Sequence, residues 1–97
     1  MKIALYGKAF GSDYDELMRD VLRLLKEYDI DIMVYEPFWK DIKHCFDESC
    51  EYAFFNTSED IRNKVDVMFS FGGDGTILDS VPLIRDSGIP VLGINRS

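Results

Sequence analysis

A chain of 97 residues with 46% hydrophobic content can build one core but not two. Its 18 acidic side chains against 11 basic ones leave a net charge of −7. That balance argues against nucleic acid or an anionic membrane as partner, because either demands a clustered basic face. No segment approaches the roughly 18 apolar residues of a membrane span, and the apolar run Ile3 to Tyr6 is too short for the core of a signal peptide.

In chain order, Lys2 to Tyr6 reads as a short first strand, stopped by the loop Gly7 to Ser12. Asp13 with Glu16 resembles a capping box, and Leu17, Met18, Val21, Leu22, Leu25 and Tyr28 recur at helical spacing, so an amphipathic helix is expected to end near Asp29. Ile30 to Tyr35 reads as a second strand, and Pro37 suits the first position of a helix running through Trp39, Ile42 and His44. Asp47 to Phe55 carries no decisive pattern. Thr57-Ser58-Glu59-Asp60 opens a short helix to Lys64, and Val65 to Phe71 is apolar enough for a strand buried on both faces. The next helix, about Thr76 to Asp86, contains Pro82, which should kink or break it. Gly88 is expected to end that helix, and Pro90 to Ile94 forms the last strand.

Helices between successive strands imply parallel pairing with right-handed crossovers, hence an α/β fold with an open Rossmann-like, mainly parallel sheet flanked by helices. No internal repeat, linker or low-complexity tract interrupts residues 1–97, so a single α/β domain is expected. Cys45 and Cys50 are the only cysteines, in a C-x4-C arrangement with His44 beside the first. As a zinc site this lacks a second ligand pair, and as a redox motif the spacing is wrong. Free thiols in a reducing cytoplasm are the plain reading, with His44 a surface or helix-end residue.

The chemistry concentrates in Phe69-Ser70-Phe71-Gly72-Gly73-Asp74-Gly75-Thr76-Ile77-Leu78, where three glycines and an aspartate stand at a strand-to-helix turn. Backbone N–H groups approach a phosphate closely only where no Cβ intrudes, and a helix opening at Gly75 or Thr76 adds its unpaired amides and positive dipole end. Asp74 is the anomaly, since a carboxylate repels phosphates unless a divalent cation or a proton-accepting task explains it. The plainer alternative is a tight turn with Asp74 capping the helix. Walker A does not fit, because Gly7 to Ser12 lacks both the spacing and the terminal lysine; the dinucleotide fingerprint is half present, with Leu78 where its third glycine belongs. Ligands of open α/β sheets sit beyond the carboxyl ends of the strands, which makes Lys8 a candidate second phosphate contact beside its plainer reading as a solvated loop lysine. Tyr35, Phe38 and Trp39 suggest a base-stacking platform, but their periodicity favours packing.

Gly72 to Leu78 resembles the G-G-D-G-T-x-L motif of the NAD kinases, and Gly93-Ile94-Asn95 resembles the start of their second motif, G-[IV]-N-x-G-x-L-G-F. Diacylglycerol-type lipid kinases and sugar kinases share the first motif or a close variant. Lipid kinases, however, continue with an asparagine and glutamate and later show G-T-G-N, where this chain has Leu78-Asp79 and Gly93-Ile94-Asn95. The resemblance spans all 97 residues but only about the first third of a typical NAD kinase, leaving out the β-rich C-terminal domain. Ser97 stands where the family has glycine, so Arg96-Ser97 is either a native departure or a cloning scar.

The resemblance implies phosphorylation of the adenosine ribose 2′-hydroxyl of NAD by ATP, giving NADP and ADP in the cytoplasm, with Mg²⁺ or another divalent cation neutralising charge. It implies Asp74 as proton acceptor, with Gly72, Gly73, Asp74, Gly75, Thr76 and Asn95 around the nucleotides. It also implies a homo-oligomeric full-length enzyme whose assembly rests largely on the C-terminal part, and a fragment inactive by itself. The alternatives are a lipid or sugar kinase on the same motif, and a non-catalytic nucleotide-binding module.

Overall fold

A computed structural model describes residues 1–8 and 11–95, so part of the loop Gly7 to Ser12 and the pair Arg96-Ser97 lie outside the described residues. Five strands, β1 (Lys2–Gly7), β2 (Asp31–Tyr35), β3 (Ala53–Phe55), β4 (Val67–Phe71) and β5 (Val91–Ile94), form one sheet in the order β3-β2-β1-β4-β5. Every pairing is parallel. Helices α1 (Asp15–Glu27), α2 (Glu36–Ile42), α3 (Ser58–Ile61) and α4 (Asp74–Ile84) make the crossovers. The expected Rossmann-like architecture is therefore present.

Alternation along β1 sorts the core into two halves. Ile3 and Leu5 join Met18, Leu22 and Leu25 of α1 and Phe38 and Ile42 of α2 on one face. Ala4 and Tyr6 join Ile61 of α3 and Leu83 of α4 on the other. Each large apolar side chain fully buried in this way stabilises by about 1.5–3 kcal/mol relative to exposure. Tyr28, expected on the apolar stripe of α1, is 70% exposed instead. The helix has already stopped at Glu27, and Asp29 turns into the left-handed region with φ 54°.

Local signals were partly displaced. No capping box forms at Asp13 and Glu16; a single 3₁₀ turn, Ser12–Tyr14, precedes α1, and Tyr14 at its N-cap makes no side-chain cap hydrogen bond. The box forms at α3, where the Asp60 carboxylate accepts from the backbone N–H of Asn56 (2.9 Å) and Thr57 (3.1 Å). Those bonds hold the Asp60 carboxyl below its usual 3.8. A depressed folded-state value stabilises the fold above the unfolded value and loses that contribution as pH falls through the folded one. Asp60→Asn is therefore expected to melt below wild type at pH 6, with the gap closing as pH falls below 3.8; thermal melts across pH 2.5–6 check this.

Pro82 does not end α4, which runs on to Ile84 and stops short of the expected Asp86. Proline's missing N–H costs one bond in a last turn that is about to end anyway. Arg85, not Gly88, is the C-cap, at φ 50°. The ambiguous stretch resolves into an Asp47–Cys50 turn followed by β3; the Asp47 carboxylate accepts from the Ser49 N–H at 2.8 Å. Tyr35 packs on Tyr6 and Phe55 with ring centroids 5.0 and 5.5 Å away, Phe38 lies buried against Phe71, and Trp39 stacks on Tyr52 at 4.5 Å. The aromatic group is thus engaged in packing. Among the described residues no helix is long and apolar enough to cross a membrane.

Ser70 of β4 is fully buried, and its hydroxyl has no hydrogen-bond partner among the described residues. A buried unsatisfied hydroxyl carries its full desolvation penalty. Ser70→Ala is expected to raise stability by about 1 kcal/mol, read as a melting temperature higher by about 4–8 °C in a domain of this size.

Candidate functional site

Register brings the candidate residues abreast. Gly7 pairs with Phe71 at the β1–β4 seam, and Phe71 pairs with Ile94 at the β4–β5 seam. Lys8, Gly72 and Asn95 therefore stand one residue beyond three adjacent strand ends. The strand order reverses between β1 and β4, since chain progression runs outward from β1 through β2 to β3 and from β4 to β5. A crevice at such a switch point is where open α/β sheets bind ligands.

Gly72 leaves β4 at φ 137°, and its N–H donates to the Ile94 carbonyl at 2.9 Å, which ties the loop to the end of β5. A Cβ on Gly72 would run into the Thr76 side chain, whose hydroxyl folds back over this residue. Here the fold itself demands glycine. Gly73 is the N-cap of α4 at φ −87°, and Asp74 rather than Gly75 or Thr76 opens the helix. The Gly73 carbonyl accepts from Thr76 at 3.0 Å, while the first amides of the helix have no carbonyl four residues back to bond. A Cβ added at Gly73 or Gly75 would meet nothing within 4 Å. Neither side-chain space nor a left-handed backbone requires glycine at Gly73, and space does not require it at Gly75.

Gly73, Asp74 and Gly75 are exposed, with Gly72 and Thr76 half-buried. Asn95 lies beside them, and its Oδ1 accepts a hydrogen bond from the Tyr14 hydroxyl at 2.9 Å. Tyr14 thus orients a candidate ligand residue. Sequence reasoning missed it, because the two residues are 81 positions apart. Lys8, the candidate second phosphate contact, pairs with Asp79 of α4 at 3.0 Å, with 58% of its side chain exposed. Its ammonium is thereby held toward the helix that opens at Asp74. Asp79 also helps to raise the pKa of the Tyr6 hydroxyl, behind the larger effect of burial and that of Tyr35, so Tyr6 stays a neutral donor at physiological pH. Tyr6, Gly7, Lys8, Tyr35, Pro37 and Lys40 line a cavity of about 260 Å³ at the same sheet end.

Chemically, the arrangement offers unpaired helix-start amides, an exposed carboxylate at the first helical position, a nearby cation and a fixed amide side chain. Such a set binds an anion and orients a hydroxyl.

A family model described as the ATP-NAD kinase N-terminal domain matches residues 10–97. The NAD kinase of Christiangramia forsetii is 36% identical over 95 residues, covering 98% of this chain and 32% of that protein. The NAD kinase of Cytophaga hutchinsonii is 33% identical over the same length and coverage. That of Methanothermobacter thermautotrophicus is 58% identical over 38 residues, 38% of this chain and 13% of that protein. The chain spans about a third of the length of the curated relatives it matches from end to end. With the family model covering nearly all of it, and the family's glycine-rich motif standing at the switch point, the chain belongs to the ATP-NAD kinase N-terminal domain family.

Proposed function

We propose that residues 1–97 are the N-terminal nucleotide-binding domain of a cytoplasmic, homo-oligomeric NAD kinase. It transfers the γ-phosphoryl of ATP to the 2′-hydroxyl of the adenosine ribose of NAD, giving NADP and ADP. The observation that carries the reading is the contrast within the motif: the fold explains glycine at Gly72 but leaves Gly73 and Gly75 in open space beside unpaired amides. Glycines that the chain does not need for itself fit a ligand that approaches its backbone.

In this reading the amides at Gly73, Asp74 and Gly75 and the start of α4 cradle phosphate oxygens, and Lys8 adds charge at the rim. Asp74 accepts the proton of the 2′-hydroxyl while that oxygen attacks the γ-phosphorus in line and ADP leaves. Asn95, held by Tyr14, lines the nucleotide pocket. Phosphoryl transfer needs positioning and charge neutralisation more than a covalent nucleophile, which suits a loop built mainly of glycine amides. Asp74 is the one carboxylate in the loop Gly72 to Thr76 and serves as the proton acceptor, so the oxygen donors for Mg²⁺ would come chiefly from the phosphates of ATP, which suit this hard ion. Bound there, Mg²⁺ would neutralise charge on the transferring phosphoryl group. Local amides and the cation act at short range, where they outweigh the net −7 of the chain.

Purified full-length protein is expected to form NADP from NAD and Mg²⁺-ATP, while residues 1–97 alone do not. Transfer to diacylglycerol-type lipids or sugars in place of NAD would overturn the reading, as would full activity of the 97 residues by themselves.

A further inference from the structure

Asp15 at the start of α1, His44 and Cys45 converge from two segments about thirty residues apart. The His44 Nε2 lies 2.8 Å from Asp15 Oδ1, and Cys45 Sγ lies 3.9 Å from the same oxygen. All three ligand atoms fall within 4.8 Å of one another. His44 and Cys45 sit on the 3₁₀ turn Lys43–Cys45 that ends α2, so the cluster bridges two elements packed on one face of the sheet. Beside it opens a cavity of about 450 Å³ lined by both residues and by Cys50. Here the fold supplies what C-x4-C lacks in the sequence, a third donor from Asp15.

We propose that Asp15, His44 and Cys45 form a binding site for a thiophilic divalent cation, Zn²⁺ by its chemistry, with water in the fourth position. Zinc takes thiolate at about 2.3 Å and imidazole or carboxylate at about 2.0–2.2 Å. Tetrahedral ligands at those lengths lie about 3.3–3.8 Å apart. The Asp15–Cys45 separation is already close to this, and the His44–Asp15 pair has only to open by about half an ångström. A hard cation such as Mg²⁺ would not choose thiolate and imidazole, whereas Zn²⁺ does. On binding, the Sγ–H bond of Cys45 breaks, its proton passes to solvent and the sulfur electron pair forms the bond to the metal. His44 is half-exposed, so the ion has a path from water, and the bound ion would tie the start of α1 to the end of α2.

The test is Co²⁺ titration of the full-length protein, with reduced thiols, followed by displacement with Zn²⁺. The expected result is a thiolate-to-cobalt charge-transfer band that saturates at one equivalent and disappears on adding Zn²⁺. Cys45→Ser and His44→Ala are expected to abolish that band while circular dichroism stays that of wild type. Asp15→Asn should weaken Co²⁺ binding at least about tenfold, since even groups that only support a ligand cost that much. Cys50 lies outside the cluster, so Cys50→Ser is expected to leave the band unchanged, and loss of the band in that variant would overturn the assignment to Cys45. No band in wild type, or one that persists in folded Cys45→Ser or His44→Ala, overturns the proposal. The readout is optical, so it is independent of kinase activity.

Discussion

Asp74→Asn in the full-length protein is expected to lower kcat for NADP formation by about 10²–10⁴-fold, with KM for NAD and ATP changed little. Asparagine keeps the shape and one acceptor oxygen of Asp74 but cannot take the proton of the 2′-hydroxyl. Because the side chain is exposed at the first position of α4, its loss should barely touch the fold. The favourable placement of a carboxylate at a helix N-terminus is worth about 0.3–1 kcal/mol, a small part of domain stability. A variant that melts like wild type and binds its nucleotides, yet turns over slowly, has lost an interaction made in the transition state. Steady-state kinetics in both substrates check this, and a kcat within a factor of three of wild type would remove Asp74 from the proton-accepting role.

The glycines are expected to separate into two classes. Gly72→Ala places a Cβ against Thr76 at a φ of 137°, so strain of about 1–3 kcal/mol is expected. Each kcal/mol corresponds to about 4–8 °C in melting temperature for a domain of this size. Gly75→Ala meets open space inside a helix, where alanine is favoured over glycine by up to about 1 kcal/mol. It should melt at or above wild type, yet in the proposed reading its methyl group stands where the amides meet phosphate, so kcat/KM for ATP should fall at least about tenfold, or about 1.4 kcal/mol. Opposite movements of stability and activity in one variant cannot come from misfolding. If Gly75→Ala keeps wild-type kcat/KM, the loop does not cradle the donor phosphates.

Much of the fold was legible because its signals are local. The recurrence of Met18, Leu22 and Leu25 marks α1, and the apolar run to Phe71 marks β4. The glycine-rich motif announces its turn by composition alone. Boundaries shifted where backbone geometry intervened, as when Asp29 enters the left-handed region and leaves Tyr28 in solvent. Pro82 misled because a proline near the end of a helix removes little, and the capping box moved to Thr57 and Asp60, whose spacing matches the pattern equally well. The pairs that complete the site were illegible for a different reason. Tyr14 with Asn95, and Lys8 with Asp79, meet only because β1 lies between β2 and β4, and strand order is not written in any local pattern. His44 and Cys45 likewise gain Asp15 only through the packing of α1 against the end of α2.

The central position of β1 also shapes how the chain is made. β1 is complete by Gly7, yet β4, its partner on one side, begins only at Val67, about 60 residues later. At synthesis rates of about 5–20 residues per second, one edge of the central strand stays unpaired for about 3–12 s. During that interval Ile3 and Leu5 have only β2 and the first two helices for company. The nascent half-sheet thus keeps one edge of its central strand open, and the switch point between β1 and β4 does not exist until β4 has left the ribosome.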